Sequence, residues 1–479
     1  MAQSAELKRE LGAAEYFTLS FGVIVGVGWV VVLGDWLTQA GPAGSILAFV
    51  IGGVALLLVG FCYAEMSTRL PVSGGEVAYA YEIFGVPTCF ATGWFLTLSY
   101  IATTVFEALS ISWLAATLLP SVQGRVLYVI HGSQVHTGTL LLGLASMMFI
   151  VLLNYQGVRQ AALLQNILTY AKILLAVVVV AIGVGWGRTA HLQPLFRRSA
   201  VGSVWPGVLA VLITTPFFLS GFSTVVQVME EKATQTSLKT VGWMIVLSIS
   251  AATLFYCLII LACSMTIPWQ QLVKLNLPAA TAFDVAFQSR LLMRSVLVVA
   301  LFGNFTVLNG VFLSASRVVF ALGRAHIISS RFGAILPTTG TPAVAIVFVG
   351  ILGFLGIFLG QGALLPMVNI TSSCIAFCYV LVCLGVILMR VQQKTRAPYE
   401  VPGGVLTAAL GMIASLCILC IALYQPYLDA GRSFPLEWSL IVLWSVLGAL
   451  FWFAAQKIRG TVSDAERRKI VLEAGATAE

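Results

Sequence analysis

The stretch SFGVIVGVGWVVVLGDW, residues 20–36, has the apolar character of a membrane span but contains four glycines. Each glycine inside a helix costs about 0.5–1 kcal/mol relative to alanine. Gly22 and Gly26 lie four residues apart and share a helix face, which is typical of close packing between helices. Gly26 and Gly28 point in different directions, so two glycines around one residue at mid-span predict a locally unwound backbone.

An unwound turn inside a membrane exposes peptide groups, which need a partner or a polar cavity. The half-helix after the break also directs the positive end of its dipole into the gap, where a carboxylate is favoured. Residues 214–231, TTPFFLSGFSTVVQVMEE, contain Pro216 and Gly221 and predict a second interrupted span. Two interrupted helices in corresponding positions indicate an inverted repeat.

The 479-residue chain is 59% hydrophobic and only 9% charged, with a mean hydropathy of +0.99. A soluble domain of this length needs more polar surface, so the composition indicates a helical membrane protein. About 20 apolar residues cross the hydrocarbon core. This length predicts twelve spans, near residues 16–38, 44–67, 87–118, 139–156, 163–186, 205–229, 241–266, 294–323, 342–361, 365–390, 404–425 and 436–456. The segment 266–293 predicts a short surface helix.

Lysine and arginine are distributed unevenly between the two sides that twelve spans define. One set of loops carries eight of the 26 basic residues, whereas the tails and the other loops carry seventeen. Because basic residues concentrate on the cytoplasmic side, both termini are predicted to be cytoplasmic. This bias and anionic lipid account for the net charge of +8 without nucleic acid as a partner. The predicted location is a bacterial inner membrane.

Several longer motifs point to one family. They are GVIVGVGW at 22–29, QAGP at 39–42, CYAEMSTRLPVSGGEVAYAYEIFG at 62–85, SGFSTVVQVMEE at 220–231, SASRVVFALGRAHIIS at 314–329 and RAPYEVPGG at 396–404. As a set, extending over residues 15–405, they resemble the amino acid–polyamine–organocation (APC) transporters, the superfamily of amino-acid permeases.

The resemblance implies an all-α integral membrane protein with a five-plus-five inverted repeat, in which helices 1 and 6 are broken. The expected organisation is listed by its bounds: an N-terminal cytoplasmic tail at 1–15, a first repeat at 16–187, a second repeat at 203–391, two added spans within 392–456 and a C-terminal cytoplasmic tail at 457–479.

The chain also departs from the family pattern at both breaks. Many members have Gly-Ile-Phe after the first break, whereas this chain has Gly28-Trp29-Val30. Acidic or amide residues often follow the glycine of span six, but residues 222–224 are Phe, Ser and Thr. The resemblance therefore implies the scaffold and does not by itself imply a particular substrate.

Lys172 is the basic residue placed well inside a predicted span, where an ionisable group is a functional candidate. Burial disfavours the charged form of its ammonium group. Proton-coupled relatives have a lysine in this span at the place of a sodium ion, and Lys172 fits that position. By the same resemblance, Ser314 and Ser316 of span eight are expected to face it. The alternative is a permanently charged lysine bonded to helix-end carbonyls.

Glu107 ends a polar stripe, Ser99, Thr103 and Glu107, that repeats every four residues along span three. In the family this span lines the substrate cavity. The alternative is a protonated or hydrogen-bonded Glu107 with a structural role. Asp35 lies two turns beyond Gly28, where it lines an outer vestibule or merely caps a helix near the surface.

Together these patterns predict a site for an amino acid between the two breaks. Amides of the first break would bind the carboxylate, carbonyl groups at Ile24 and along residues 217–220 would accept from the ammonium, and spans 3, 8 and 10 would select the side chain. Phe217 matches an aromatic lid in relatives. The predicted substrate-binding residues are Ile24, Gly26, Val27, Gly28, Thr103, Glu107, Phe217, Phe218, Leu219, Ser220 and Gly221.

The resulting hypothesis is a secondary active transporter of an amino acid or a related amine, coupled to protons and working by alternating access. An amine or polyamine carrier and a non-transporting sensor are the alternatives. No nucleophile–base set, metal motif or cofactor motif is found, so an enzyme is not expected and no cofactor is predicted. The expected partners are the small-molecule substrate, the proton and the lipid bilayer.

Overall fold

The computed structural model describes residues 11–472 except 73, 131–132, 200–201, 276, 393–395 and 430–432. Helices dominate it. The α-helices are α1 Ala13–Ile24, α2 Gly28–Val31, α3 Leu33–Arg69, α4 Gly75–Phe84, α5 Val86–Leu118, α6 Thr137–Gln156, α7 Val158–Trp186, α8 Trp205–Leu212, α9 Thr215–Leu219, α10 Thr224–Gln227, α11 Leu238–Thr266, α12 Trp269–Leu272, α13 Pro278–Phe287, α14 Arg290–Arg324, α15 Ala343–Ile357, α16 Leu364–Gln392, α17 Gly404–Asp429, α18 Leu436–Ala454, α19 Gln456–Gly460 and α20 Asp464–Leu472. Short 3₁₀ turns cover Pro120–Val122, Thr189–Leu192, Ser220–Ser223, Met229–Glu231, Ser330–Gly333 and Gln361–Ala363.

Ten helical segments in the described part of the chain are long and apolar enough to cross a membrane. The pair Trp205–Leu212 and Thr215–Gln227 satisfies the same criteria jointly and bends by 45° at its break. The apolar helix α15 has 15 residues, fewer than the roughly 20 that span the hydrocarbon core without bilayer adjustment. The protein is therefore an all-α, multi-pass integral membrane protein, while the count of twelve spans stays a prediction.

Helix α3 contains a sharp kink where the sequence QAGP predicts the end of the first span. Gly41 has φ +74° and ψ 175°, and Pro42 follows it. The neighbouring loop satisfies the interrupted backbone, because Arg197 N–H donates to the Ala40 carbonyl and Ala43 N–H donates to the Leu195 carbonyl, each at 2.9 Å. A Cβ atom at Gly41 would lie 2.9 Å from the Arg197 nitrogen, so only glycine fits there.

Both predicted interruptions are present. The first separates α1, which ends at Ile24, from α2, which begins at Gly28. The second places the 3₁₀ turn Ser220–Ser223 between α9 and α10.

The two breaks contact each other through their backbones. A Cβ atom at Gly221 would lie 2.4 Å from the Ile24 nitrogen and 2.6 Å from the Val23 carbonyl carbon. Any side chain here would push the breaks apart. Gly221 therefore allows the backbones of the two breaks to approach closely, in addition to permitting local unwinding.

Two loops differ from the expectations. Residues between α5 and α6 form an antiparallel hairpin of β1 Val126–Ile130 and β2 Ser133–His136, which the search for apolar helices did not predict. The expected surface helix within 266–293 consists of α12 and α13, and α13 buries its apolar face instead of lying free on the surface. Its Pro278 packs against Gly34, 3.0 Å from a Cβ atom placed there.

A carboxylate joins the end of α3 to the end of α16. Glu65 is fully buried and forms ion pairs with Arg69 of its own helix and with Arg390 of α16. Its second oxygen also accepts from Val401 N–H at 2.7 Å. These bonds connect two spans and the loop after α16 in one charged cluster.

We expect Glu65→Ala to lower the free energy of unfolding by about 2 kcal/mol or more, because two arginines and one amide lose their acceptor. The thermal unfolding midpoint in detergent measures this loss. Glu400→Ala is the matched control, since the Arg396–Glu400 contact is 3.9 Å long and exposed. Equal effects of the two substitutions would contradict a special role of the Glu65 cluster.

Candidate functional site

Unwinding the first break deprives carbonyl groups of the amides that a continuous helix would supply four residues later. Lys172, on α7, replaces two of those donors. Its ammonium donates to the Gly22 carbonyl at 3.0 Å and to the Val25 carbonyl at 2.5 Å. A third bond, of 3.0 Å, reaches the Thr306 hydroxyl of α14, which itself donates to the Gly22 carbonyl at 2.9 Å.

A tyrosine satisfies a third carbonyl of the same turn. The Tyr256 hydroxyl of α11 donates to the Ile24 carbonyl at 3.1 Å and interacts with the Gly26 N–H. The amides of Val27, Gly28 and Trp29 donate to no backbone carbonyl within the described residues. The first break therefore has its acceptors bound by side chains, while three of its donors stay available to a ligand.

The breaks border a small cavity with a volume of about 20 Å³. It is lined by most of the predicted substrate-binding residues: Ile24, Gly26, Gly28, Thr103, Glu107, Phe217, Phe218, Ser220 and Gly221. Val27 and Leu219 do not line it. Both side chains are fully buried in the surrounding core, because consecutive residues of a turn point in different directions.

The rest of the lining shows what sequence patterns missed. Spans 3, 8 and 10 contribute as expected, through α5, α14 and α16. The additional lining residues are Val23, Ser99, Tyr100, Thr224, Tyr256, Val307, Val311, Thr371 and Ile375. Ser99 belongs to the polar stripe and was identifiable, whereas apolar residues such as Val307 look like ordinary core in sequence.

Glu107 lies in the cavity wall beside the first break. Its side chain is buried, and its Oε1 would lie 3.0 Å from a Cβ atom at Gly26. The Asn304 amide of α14, oriented with its nitrogen toward the carboxyl group, donates to Oε2 at 2.6 Å and accepts from Ile111 N–H at 3.2 Å. Glu107 thus combines a cavity position with a hydrogen-bonded anchor, which are the two roles that its sequence context left open.

The expected partners of Lys172 on span eight are wrong. The Ser314 hydroxyl donates to the Gly310 carbonyl and the Ser316 hydroxyl donates to the Leu313 carbonyl, all within α14. Thr306 provides the contact instead, eight residues before Ser314, which is about 12 Å along a helix. The serine motif identified the correct helix but the wrong depth.

Aromatic rings close one side of the cavity. The Phe217 ring packs edge-on against Phe106 at a centroid distance of 5.1 Å and against Phe218 at 5.0 Å. Phe218 fills the space over Gly28, where a Cβ atom would lie 2.1 Å from the ring. Asp35 is exposed in the first turn of α3 and does not line the cavity, which favours its interpretation as a helix-end residue.

Two interrupted helices that meet across a cavity in the middle of a helical bundle are typical of membrane transporters. The profile of the amino acid permease family matches residues 11–450 of the chain. The chain therefore belongs to the amino acid permease family, within the APC superfamily, and its relatives are transporters and not enzymes.

The names of similar proteins refer to different transported compounds. The methylthioribose transporter of Bacillus subtilis is 25% identical over 463 residues, covering 94% of each chain. The branched-chain amino acid permease BcaP of the same species is 27% identical over 460 residues, covering 93% of each. The human b(0,+)-type amino acid transporter 1 is 24% identical over 460 residues, covering 94% of this chain and 88% of its own.

We expect Gly26→Leu to abolish ligand binding without preventing membrane insertion. A Cβ atom there would lie 2.9 Å from Val307 and 3.0 Å from Glu107, and the rest of the side chain would fill the cavity. Gly28→Leu should act similarly through Phe218. The measurement is the rise in the thermal unfolding midpoint of purified protein when amino acids are added. This rise increases with the ratio of ligand concentration to Kd.

Gly185→Leu is the matched control, because a Cβ atom at Gly185 meets nothing within 4 Å. It should retain the full ligand-induced stabilisation. Undiminished stabilisation of the Gly26 or Gly28 variant would exclude the first break from the binding site.

Proposed function

We propose that the protein is a secondary active transporter that moves an amino acid across the membrane by alternating access. The observation that carries this proposal is the first break, where Gly28, whose N–H has no backbone partner among the described residues, borders a cavity also bordered by the second break. Unwound backbone is tolerated at membrane depth where it lines such a cavity. Rocking of the two repeats around a fixed central site would expose it to each side in turn.

The two breaks suit the two charged ends of an amino acid. The amides of residues 27–29 and the dipole of the following helix favour a carboxylate. Carbonyl groups of residues 217–220 supply acceptors for an ammonium group, with the Ile24 carbonyl, already bound by Tyr256, as a shared acceptor. The Glu107 carboxyl group adds a polar wall. Both ends are recognised by groups common to all amino acids.

The remaining wall favours a substrate with a largely apolar side chain. Val307, Val311 and Ile375 contribute branched aliphatic groups, while Thr103 and Thr371 contribute hydroxyls that bond to one another at 3.2 Å. The similarity to a relative named for branched-chain amino acids agrees with this wall. The relative named for methylthioribose makes a direct test of the carboxylate contact important.

We expect esterified and decarboxylated analogues to bind at least tenfold more weakly than the parent amino acid, a difference of about 1.4 kcal/mol. The reason is that neither analogue presents an anion to the amides of the break. Competition against radiolabelled amino-acid uptake into proteoliposomes measures the ratio. Tighter binding of the decarboxylated amine would favour an amine carrier, and binding without any uptake would favour a sensor.

We further propose that Lys172 carries the coupling proton. Among the described residues, its ammonium group donates to two carbonyl oxygens and one hydroxyl, so no carboxylate is bonded to it directly. Two of those oxygens belong to the unwound turn itself. Because alternating access changes the geometry of this turn, the affinity of Lys172 for a proton would differ between the two states, and the gradient would bias their equilibrium.

We expect Lys172→Ala to abolish accumulation driven by a proton gradient and to leave residual transport nearly independent of that gradient. Thr306→Val should weaken coupling in the same direction, because it removes the hydroxyl that joins Lys172 to the Gly22 carbonyl. Proteoliposomes with an imposed pH difference provide the measurement.

Ser314→Ala is the matched control for Thr306→Val and should behave like the unmutated protein, since its hydroxyl bonds only within α14. Proton-driven accumulation that survives in Lys172→Ala would assign the proton to another group. A sodium requirement of the unmutated protein would refute proton coupling.

The topology that accompanies this mechanism has twelve spans in a bacterial inner membrane with both termini in the cytoplasm. Its first repeat occupies residues 16–187 and its inverted second repeat residues 203–391. Two further spans and the C-terminal tail follow within 392–456 and 457–479. The short helix α15 would serve as the ninth span, since thinning of the bilayer accommodates a short helix.

A further inference from the structure

Helix α4 and helix α10 meet along a seam formed by Gly74–Glu76 on one side and Val226–Gln227 on the other. A Cβ atom at Gly75 would lie 2.7 Å from the Val226 side chain and 2.9 Å from its carbonyl oxygen. The Gly74 N–H donates to the Gln227 carbonyl at 3.5 Å. Because α10 follows the second break, a motion of this half-span away from α4 would open the seam.

Glu76 lies inside the seam with a side chain that is 1% exposed. The Gln227 amide, itself fully buried, donates to Glu76 Oε2. Glu76 Oε1 and Gln227 Oε1 are both buried and have no hydrogen-bond partner among the described residues. Buried acceptors without a partner at hydrogen-bond distance are costly, since each loses water and gains little in return. The Tyr63 hydroxyl lies near the Glu76 carboxyl group and, within the described part of the chain, is itself buried without a partner at that distance.

Among the described residues, no cationic side chain pairs with Glu76. The titratable side chains that face it are those of tyrosines and a cysteine: Tyr63, Tyr79, Tyr100, Cys378 and Tyr379. The arginines of the packed helices α14 and α20 have other partners: Arg317 pairs with Glu231, Arg324 with Glu230 and Arg467 with Asp464. The Tyr100 hydroxyl bonds to Ser223 at 3.1 Å.

We infer that Glu76 is a second proton-binding site of this protein, distinct from Lys172, and that its protonated carboxyl group holds the α4–α10 seam closed. A proton on Glu76 Oε1 supplies the missing donor, and Gln227 Oε1 is its acceptor. With the existing bond from the Gln227 amide to Oε2, the carboxylic acid and the amide form a planar, doubly hydrogen-bonded pair. One proton thereby satisfies both unpaired oxygens and removes the buried charge.

Closure of the seam is therefore expected to weaken as pH rises. Burial raises the pKa of Glu76 from 4.5 to about 8, and hydrogen bonding to its own backbone amide, to Tyr63 and to Gln227 opposes the shift. A carboxyl group that water reaches when the seam opens returns to its ordinary pKa. Closure is therefore fully favoured below about pH 4.5 and lost as pH rises through about 8, with the closed-to-open ratio falling up to tenfold per pH unit between them.

The protonation itself is testable without transport, by infrared difference spectroscopy of purified protein at about pH 6, below the raised pKa. We expect Glu76→Gln to remove one carbonyl band of a protonated carboxyl group. Glu76→Asp has a shorter side chain that cannot reach Gln227 in the same way, so we expect it to shift that band. This variant provides the test if Glu76→Gln does not fold. Glu82→Gln is the control, because this carboxyl group of the same helix pairs with Arg468 near the surface.

The effect on the seam rests on the proposed transport function and is tested by counterflow in proteoliposomes at equal pH on both sides. The unmutated protein should exchange faster as pH rises from about 6 to about 8, while Glu76→Gln should keep the slow rate of low pH. An unchanged carboxyl band in both Glu76 variants would refute the protonation site. A lost band with unchanged pH dependence of counterflow would refute the seam's control by that proton, and absence of counterflow in the unmutated protein would refute the transport function alone.

Discussion

The hydrogen bonds from Lys172 to the carbonyl groups of the first break are the interaction on which the rest of the site depends. A helix cannot unwind within a membrane unless its freed carbonyls find other donors. Lys172, Thr306 and Tyr256 provide these donors from three different helices. The break is thus a product of tertiary contacts. They occupy its carbonyl groups and leave the amides of Val27, Gly28 and Trp29 without a backbone acceptor among the described residues.

The same arrangement explains why glycines concentrate where the helices are interrupted. Gly221 allows the two breaks to touch through their backbones, and Gly26 leaves room for the Glu107 carboxyl group and Val307. Gly28 accommodates the Phe218 ring in the same way. The glycines weaken the helices locally, and the close packing that they permit positions the polar backbone at the cavity.

Part of the site could be predicted from local sequence patterns, and part could not. Both interruptions, the lysine and the polar stripe of Ser99, Thr103 and Glu107 could be recognised, because glycine, proline and ionisable residues are costly inside a span. The partner of Lys172 was misplaced from Thr306 to Ser314 and Ser316, since a motif identifies a helix but not the depth at which another helix meets it. The hairpin Val126–Ile130 and Ser133–His136 was missed because a search for long apolar helices passes over short strands.

The sequence by itself determined a membrane-embedded, all-α chain, because a mean hydropathy of +0.99 and repeated apolar runs leave no other fold class. It also determined where two spans are interrupted. Only the tertiary structure decided which side chains complete those interruptions, that Val27 and Leu219 turn away from the cavity, and that Glu76 meets Gln227 in a buried seam. These contacts join residues up to several hundred positions apart, and their geometry depends on the crossing and depth of whole helices, which no local pattern encodes.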